Sequence, residues 1–359
     1  MITSTRRLCS RPCRTAEARR PKQRILYQFA SHVGFARVFY VFGTYVTGRI
    51  RSFSSPRPKV VETFQETLQK RPLTRPSPDF DRTVVGILSR AQELYPVVLH
   101  GFVLLPDGYV ALATHDDPEV MAGFHGHLNT NLSKQVRRAF GWRDTVFPRR
   151  YGATELSEEP EVELERLRRL VALPVDEDWV ASPMDWPGVS FLPALISGRP
   201  LRGHWVDRTA YWQARNRGET VSLADFTEVR EVYFEPLPSL AHLSPESYRA
   251  LVRSLVREAE VSARERHRET GTAPRGLAAI AALDVEDRPG RSRRRPRPWV
   301  FALDAELRRA LKTALLVILA EYAVAAARLK KGDRSVRFPL HTFAPSLGFV
   351  REVEVLEPG

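Results

Sequence analysis

His125 and His127 stand one residue apart, the first spacing in this 359-residue chain that suggests metal chemistry. On a β-strand, residues i and i+2 share a face, so both imidazoles could reach one ion. His125-Gly126-His127 instead lies in a stretch that reads as a helix, where two residues turn through about 200° and the rings diverge. Only a local break at Gly126 would let them share an ion. His100 falls on a predicted strand and reads as a structural histidine with its hydrogen bonds satisfied. Tyr109 occupies an apolar strand position and reads as core. Tyr151, just after Arg149-Arg150, reads as a packing residue. Asp107, in Pro106-Asp107-Gly108, suits a turn better than a lone metal ligand. Cys9 and Cys13 can build neither a disulfide framework nor a four-ligand zinc site, which fits a reducing compartment. The sequence contains no glycine-rich phosphate loop, no Gly-x-Ser-x-Gly elbow and no His-Glu-x-x-His.

Charge supplies the stronger signal. Lys134, Arg137, Arg138, Arg143, Arg149 and Arg150 cluster near the end of a predicted helix, with Asp144 as the acid among them. Lys134 shares a helical face with both Arg137 and Arg138. Such side chains neutralise phosphates without reading sequence, and Trp142 could stack on an unpaired base. The alternative is a solvated helix face with Trp142 buried. The whole chain carries 55 Lys plus Arg against 42 Asp plus Glu, a net charge of +13 and a pI near 10.1. Residues 1–24 hold eight basic side chains against Glu17, so seven of those thirteen charges sit in an N-terminal arm. A basic body with a basic arm suits a polyanion, although a solvated disordered tail has the same composition. The arm's Arg and Ser content also matches an organelle transit peptide or an over-extended translation start. Arg288 to Arg297 (RPGRSRRRPR) is a second basic segment, and its composition predicts a solvated loop.

These groups must be positioned by elements legible in the pattern. Arg37 to Thr47 reads as a strand ended by Gly48, followed by a Pro/Ser/Lys stretch. Ser77-Pro78-Asp79 opens a helix that Tyr95-Pro96 stops. Val97 to Leu105 and Tyr109 to Thr114 read as strands joined by the Pro106-Asp107-Gly108 turn. Asp116-Asp117-Pro118 caps a helix running to about Phe140, and Tyr151 to Leu156 suits another strand. Strand, helix, strand, strand, helix, strand is the ferredoxin-like β-α-β-β-α-β layout, so the expected class is α+β. Beyond residue 157 the pattern suggests helices and connecting loops, with helices over Glu159–Ala172, Ser244–Arg268 and Ala305–Lys331. The expected organisation is a basic arm at 1–24, a ferredoxin-fold domain at 25–157 and a mostly helical region at 158–359. The longest apolar run, Ala314 to Ala320 and its continuation past Glu321, reads as too short to span a bilayer, so no membrane partner is expected.

Four blocks carry a family resemblance. RPSPDFDRTVVGILSRAQELYPVVLHGFVLLPDGYVAL and GHLNTNLSKQVRRAFGWRDTVFPRRYGA cover Arg75 to Ala153, and MDWPGVSFLPALISGRPLRGHWVDRT and RLKKGDRSVRFP follow. In order and spacing they resemble the REP-associated branch of bacterial single-tyrosine transposases, in a long-chain subgroup. The resemblance implies a cytoplasmic, nucleoid-associated DNA-binding protein of hairpin or single-stranded DNA, with a homodimer possible. In that family a Pro-Asn-His-hydrophobic-His strand holds Mg or Mn, which polarises the scissile phosphate. A helix tyrosine then attacks it. Here the histidine positions hold Gly108 and Val110, and the helix positions for tyrosine correspond to Leu132 and Gln135. The expectation is therefore a transposase relative with no catalytic residues, no metal site and no cofactor. It would retain DNA contacts at Lys134, Arg137, Arg138, Trp142, Arg143, Arg149 and Arg150. An active metal-dependent strand transferase using relocated His125, His127 and Tyr151 is the alternative. An unrelated α+β enzyme and a decayed reading frame are two further readings.

Overall fold

The computed structural model describes residues 59–115, 117–288, 299–339, 342 and 344–345. The expected strand over 37–47, the arm at 1–24 and residues 289–297 of the arginine segment lie outside these. The described residues all fall within one compact unit, 46–359.

The centre is a five-stranded sheet in the spatial order Val98–Leu105, Gly108–His115, Lys59–Glu66, Gly152–Leu156 and Val300–Phe301. Strand β1 (Lys59–Glu66) is central, antiparallel to both β3 (Gly108–His115) and β4 (Gly152–Leu156). Strand β2 (Val98–Leu105) pairs with β3 as the expected hairpin. Helix α1 (Pro78–Leu94) connects β1 to β2, and helix α2 (Pro118–Phe140) connects β3 to β4. The α+β class and the split β-α-β arrangement of these six elements match expectation. The first strand is not the expected one: Lys59–Glu66 supplies it. Its alternation was masked by polar residues that are nevertheless buried, Glu62, Thr63 and Gln65.

Each face of the sheet has its own core. Odd residues of β3, namely Tyr109, Ala111 and Ala113, pack with Leu99, Phe102 and Leu104 of β2 against α1 and α2. Helix α2 offers this core a stripe of Met121, Phe124, Leu128, Leu132 and Val136, the spacing of one helical face. Even residues Val110 and Leu112, with Val60, Val103 and Leu105, pack on the opposite side. There they meet Val162, Leu167, Leu170 and Val171 of helix α3 (Pro160–Asp176). Gly101 of β2 lets α3 approach, since a Cβ there would lie 2.5 Å from the Leu170 side chain.

The region beyond residue 157 departs from the expected helices and loops in two places. Strand β7 (Val300–Phe301) joins β4 in parallel and extends the sheet. Strands β5 (Leu201–Val206) and β6 (Thr227–Val232) form a two-stranded antiparallel ribbon over α1. Two glycines make that contact: a Cβ on Gly86 would lie 2.1 Å from the His204 carbonyl oxygen, and one on Gly203 2.4 Å from that of Arg82. The helical part comprises α3, α4 (Leu192–Ser197), α5 (Arg208–Asn216), α6 (Pro245–Thr270), α7 (Gly276–Ala281) and α8 (Ala305–Lys330). Helix α8 buries Leu315, Leu319 and Tyr322 and exposes Leu316, Val317 and Val324. By length and composition it is long and apolar enough to cross a bilayer. The expectation that Ala314–Ala320 and its continuation past Glu321 are too short differed because Glu321 does not interrupt the helix, which runs unbroken over 26 residues.

Candidate nucleic-acid interface

The start of β3, where the resemblance places two histidines, is paired on both sides and closed by packing. Gly108 has φ +142°, and a Cβ on it would lie 1.9 Å from the Gln65 carbonyl oxygen. A histidine at 108 would therefore require the β1–β3 pairing to shift. Val110 is buried in the α3-side core. The carbonyl of Asp107 accepts from the Thr67 backbone N–H at 2.9 Å, which ties this turn to the end of β1. Among the described residues, no group of three or more His, Cys, Asp or Glu side chains is placed to hold a metal ion.

The structure also changes which helix faces those positions. Leu132 packs in the core on the α2 side, across the sheet from Val110. The two sets of expected catalytic positions thus do not converge in that register. The helix that packs on Val110 is α3, and its sequence PEVELERLRRLVALPVD contains no tyrosine or histidine. It presents Arg166 instead, buried against Glu62 at 3.4 Å, with its guanidinium carbon 3.6 Å from the centre of the Phe301 ring.

His125 and His127 lie within the continuous helix α2, and their rings enter different surroundings. His125 stacks on Tyr151 with ring centres 3.9 Å apart, inside the core. Its Nδ1 lies 2.8 Å from the Tyr109 hydroxyl, which donates to Asn129 Oδ1 at 2.8 Å. Tyr109 can donate only once, so His125 carries its proton on Nδ1 in this arrangement. Burial, then the neighbouring Tyr151, push the Tyr109 phenol well above its ordinary pKa. His127 points instead toward Trp205 of β5, 5.8 Å between ring centres, and burial pulls its pKa down. The structure thus brings His125 and Tyr151 together but leaves His127 apart. His100, the extra residue of a bulge in β2, is held by the Glu235 carbonyl at 3.0 Å and Thr114 Oγ1 at 2.8 Å. It is structural, and burial lowers its pKa.

Of the seven expected DNA contacts, six are exposed: Lys134, Arg137, Arg138, Arg143, Arg149 and Arg150. The first three lie on the face of α2 opposite its buried stripe, and Gly141 in the left-handed conformation ends the helix beside them. Arg143, Arg149 and Arg150 follow on the segment leading to β4. Side-chain contacts fix that segment. Asn129 donates to Gln65 Oε1 at 3.1 Å, and Gln65 donates to the Arg149 carbonyl at 2.9 Å. The buried Tyr109 network is therefore tied to the backbone that carries Arg149. Among the described residues, Lys134, Arg137, Arg138, Arg143 and Arg149 form no ion pair with a carboxylate. Burial, and then the Arg208 charge, lower the Arg138 guanidinium.

Trp142 is the exception. It is 9% exposed, donates to the Thr145 carbonyl at 3.3 Å, and lies beneath the Arg71 guanidinium, 5.1 Å from the ring centre. Both its area and one of its faces are taken up by the protein. Stacking on a base is replaced by a packing role that anchors the turn carrying Arg143.

No family model matches the chain, and no curated protein matches it. Among solved structures, a REP-associated tyrosine transposase bound to a REP hairpin is similar to it with a TM-score of 0.33 and 15% sequence identity. The similarity covers 41% of this chain and 83% of that one. A likeness of that size carries no weight for the activity of this chain.

Proposed function

We propose that this chain binds DNA, in hairpin or single-stranded form, on the exposed basic face of α2 and the segment from Arg143 to Arg150, and that it does not cut it. The observation that carries this is the concentration of exposed cations there, on a protein with a net charge of +13. Lys134, Arg137, Arg138, Arg143 and Arg149, which pair with no carboxylate among the described residues, are poised to neutralise phosphates, which gives affinity without sequence preference. The order of the four sequence blocks resembling single-tyrosine transposases points to the same partner. Lack of cleavage is supported by Gly108 and Val110 at the expected ligand positions and by a tyrosine-free α3 opposite them. The stacked His125 and Tyr151 are each buried, 1% and 8% exposed, so a phosphate could reach them only by opening the core.

The test is fluorescence anisotropy of a labelled stem-loop DNA across a salt series. Binding should weaken steeply with salt. The triple variant Lys134→Gln, Arg137→Gln, Arg138→Gln should flatten the log–log slope by about 2 to 3 while its thermal melt stays unchanged, since each lost phosphate contact removes about 0.7–0.9. An unchanged slope would remove α2 from the interface.

A further inference from the structure

Helix α5 was not singled out by the sequence, because its apolar residues are few and its neighbours ordinary. Its position gives it meaning. Strand β5 is pressed onto α1 through Gly86 and Gly203, and its Trp205 contacts His127 of α2. Asp207 then caps α5, its side chain accepting from the Ala210 N–H at 2.9 Å. The helix therefore starts beside the basic face of α2, and Arg208 lies near Arg138. Arg208, Trp212 and Arg215 follow at i, i+4 and i+7, one stripe of the helix. Trp212 is 54% exposed, an unusual position for the largest side chain. The Arg215 guanidinium carbon lies 5.5 Å from the centre of its ring, and Tyr211 meets its edge with ring centres 5.3 Å apart. Tyr211 is in turn braced by Phe226. Among the described residues, neither Arg208 nor Arg215 pairs with a carboxylate; the nearby acid Glu219 is taken by Arg217 at 2.7 Å.

We infer that Arg208, Trp212 and Arg215 form a stacking platform for an unpaired base, continuing the α2 phosphate-binding face onto α5. A half-exposed indole braced by Arg215 and Tyr211 can present a rigid π-surface to a base at little entropic cost. Flanking guanidiniums can hold the phosphates on either side, and any base can use the platform because every base has such a face. The occupant is thus a single-stranded segment next to the DNA held by α2, and the inference rests on the proposed DNA-binding function. It assigns to Trp212 the stacking role that Trp142, buried beneath Arg71, cannot take.

Two labelled DNAs separate the readings in anisotropy titrations of the full-length protein: a blunt duplex, and the same duplex with a short unpaired tail. The wild type should prefer the tailed probe. Trp212→Ala should lose about tenfold on the tailed probe and little on the blunt one, while Trp212→Phe should stay near wild type. A tail containing 5-iodouracil should crosslink to the peptide bearing Trp212 on irradiation. Equal binding of both probes by Trp212→Ala and wild type, or equal weakening on both, would overturn the platform and leave the α2 interface standing. Failure of the wild type to bind either probe would overturn both.

Discussion

Tyr109 shows how one side chain organises the candidate interface. Its ring lies in the α2-side core, stacked near Phe102, and its hydroxyl links His125 to Asn129. From Asn129 the hydrogen bonds run through Gln65 to the Arg149 carbonyl, so a buried phenol is linked to the backbone from which Arg149 emerges. Asp81, in α1, has the opposite character: a carboxyl half-buried with one oxygen unpartnered. Burial raises its pKa to about 7, partly offset by a hydrogen bond from the Ser77 backbone. The folded chain therefore keeps a proton that the unfolded chain releases near pH 4, and stability falls as pH rises from about 4 to 7. Asp81→Asn should be more stable than wild type at pH 8, by about 1–2 kcal/mol because remaining exposure discounts the full shift. That advantage should vanish near pH 4. Thermal melts at both pH values would check it, and an equal offset at the two would contradict the assignment.

At the level of elements, the ribbon β5–β6 depends on two backbones meeting where neither carries a side chain. Ser89 Oγ donates to the Glu231 carbonyl at 2.7 Å and Gln92 to the Tyr233 carbonyl at 3.0 Å, so α1 also holds the ribbon by side chains. Gly203→Ala should push β5 off α1 and cost about 1–3 kcal/mol. Hydrogen exchange should then rise over 201–206 and 227–232 but not in β1 or β3. Unchanged protection there would show that the contact does not hold the ribbon. This ribbon was not legible in the sequence, and the reason is physical. LRGHWV and TEVREV bury little besides Gly203 and Val232, so they show no apolar alternation. Strand β1 was missed for a different reason, its buried Glu62, Thr63 and Gln65. By contrast, α1, α2 and the β2–β3 hairpin were legible because Ser77-Pro78, Asp117-Pro118 and Pro106-Asp107-Gly108 are local signals that need no tertiary context. The exposed cations of α2 were equally legible, since helical spacing alone places Lys134, Arg137 and Arg138 on one side. The burial of Trp142 was not, because Arg71 reaches it from more than seventy residues away.

At the scale of the molecule, the described residues put a core on each face of one sheet, and the exposed cations of α2 lie outside both. The α3 side, which would have to be open for a metal and a nucleophile to meet at Gly108 and Val110, is filled by Leu167, Leu170 and Val171. The α2 side carries the cations, and α5 continues them. In the proposed function, binding and scission would use opposite faces of the sheet. The most direct measurement is a denaturing and a native gel of one end-labelled stem-loop DNA incubated with the full-length protein and Mn²⁺. The expected result is a retarded band on the native gel and full-length, protein-free DNA after denaturation. A shortened strand, or label that remains joined to protein after denaturation, would contradict it.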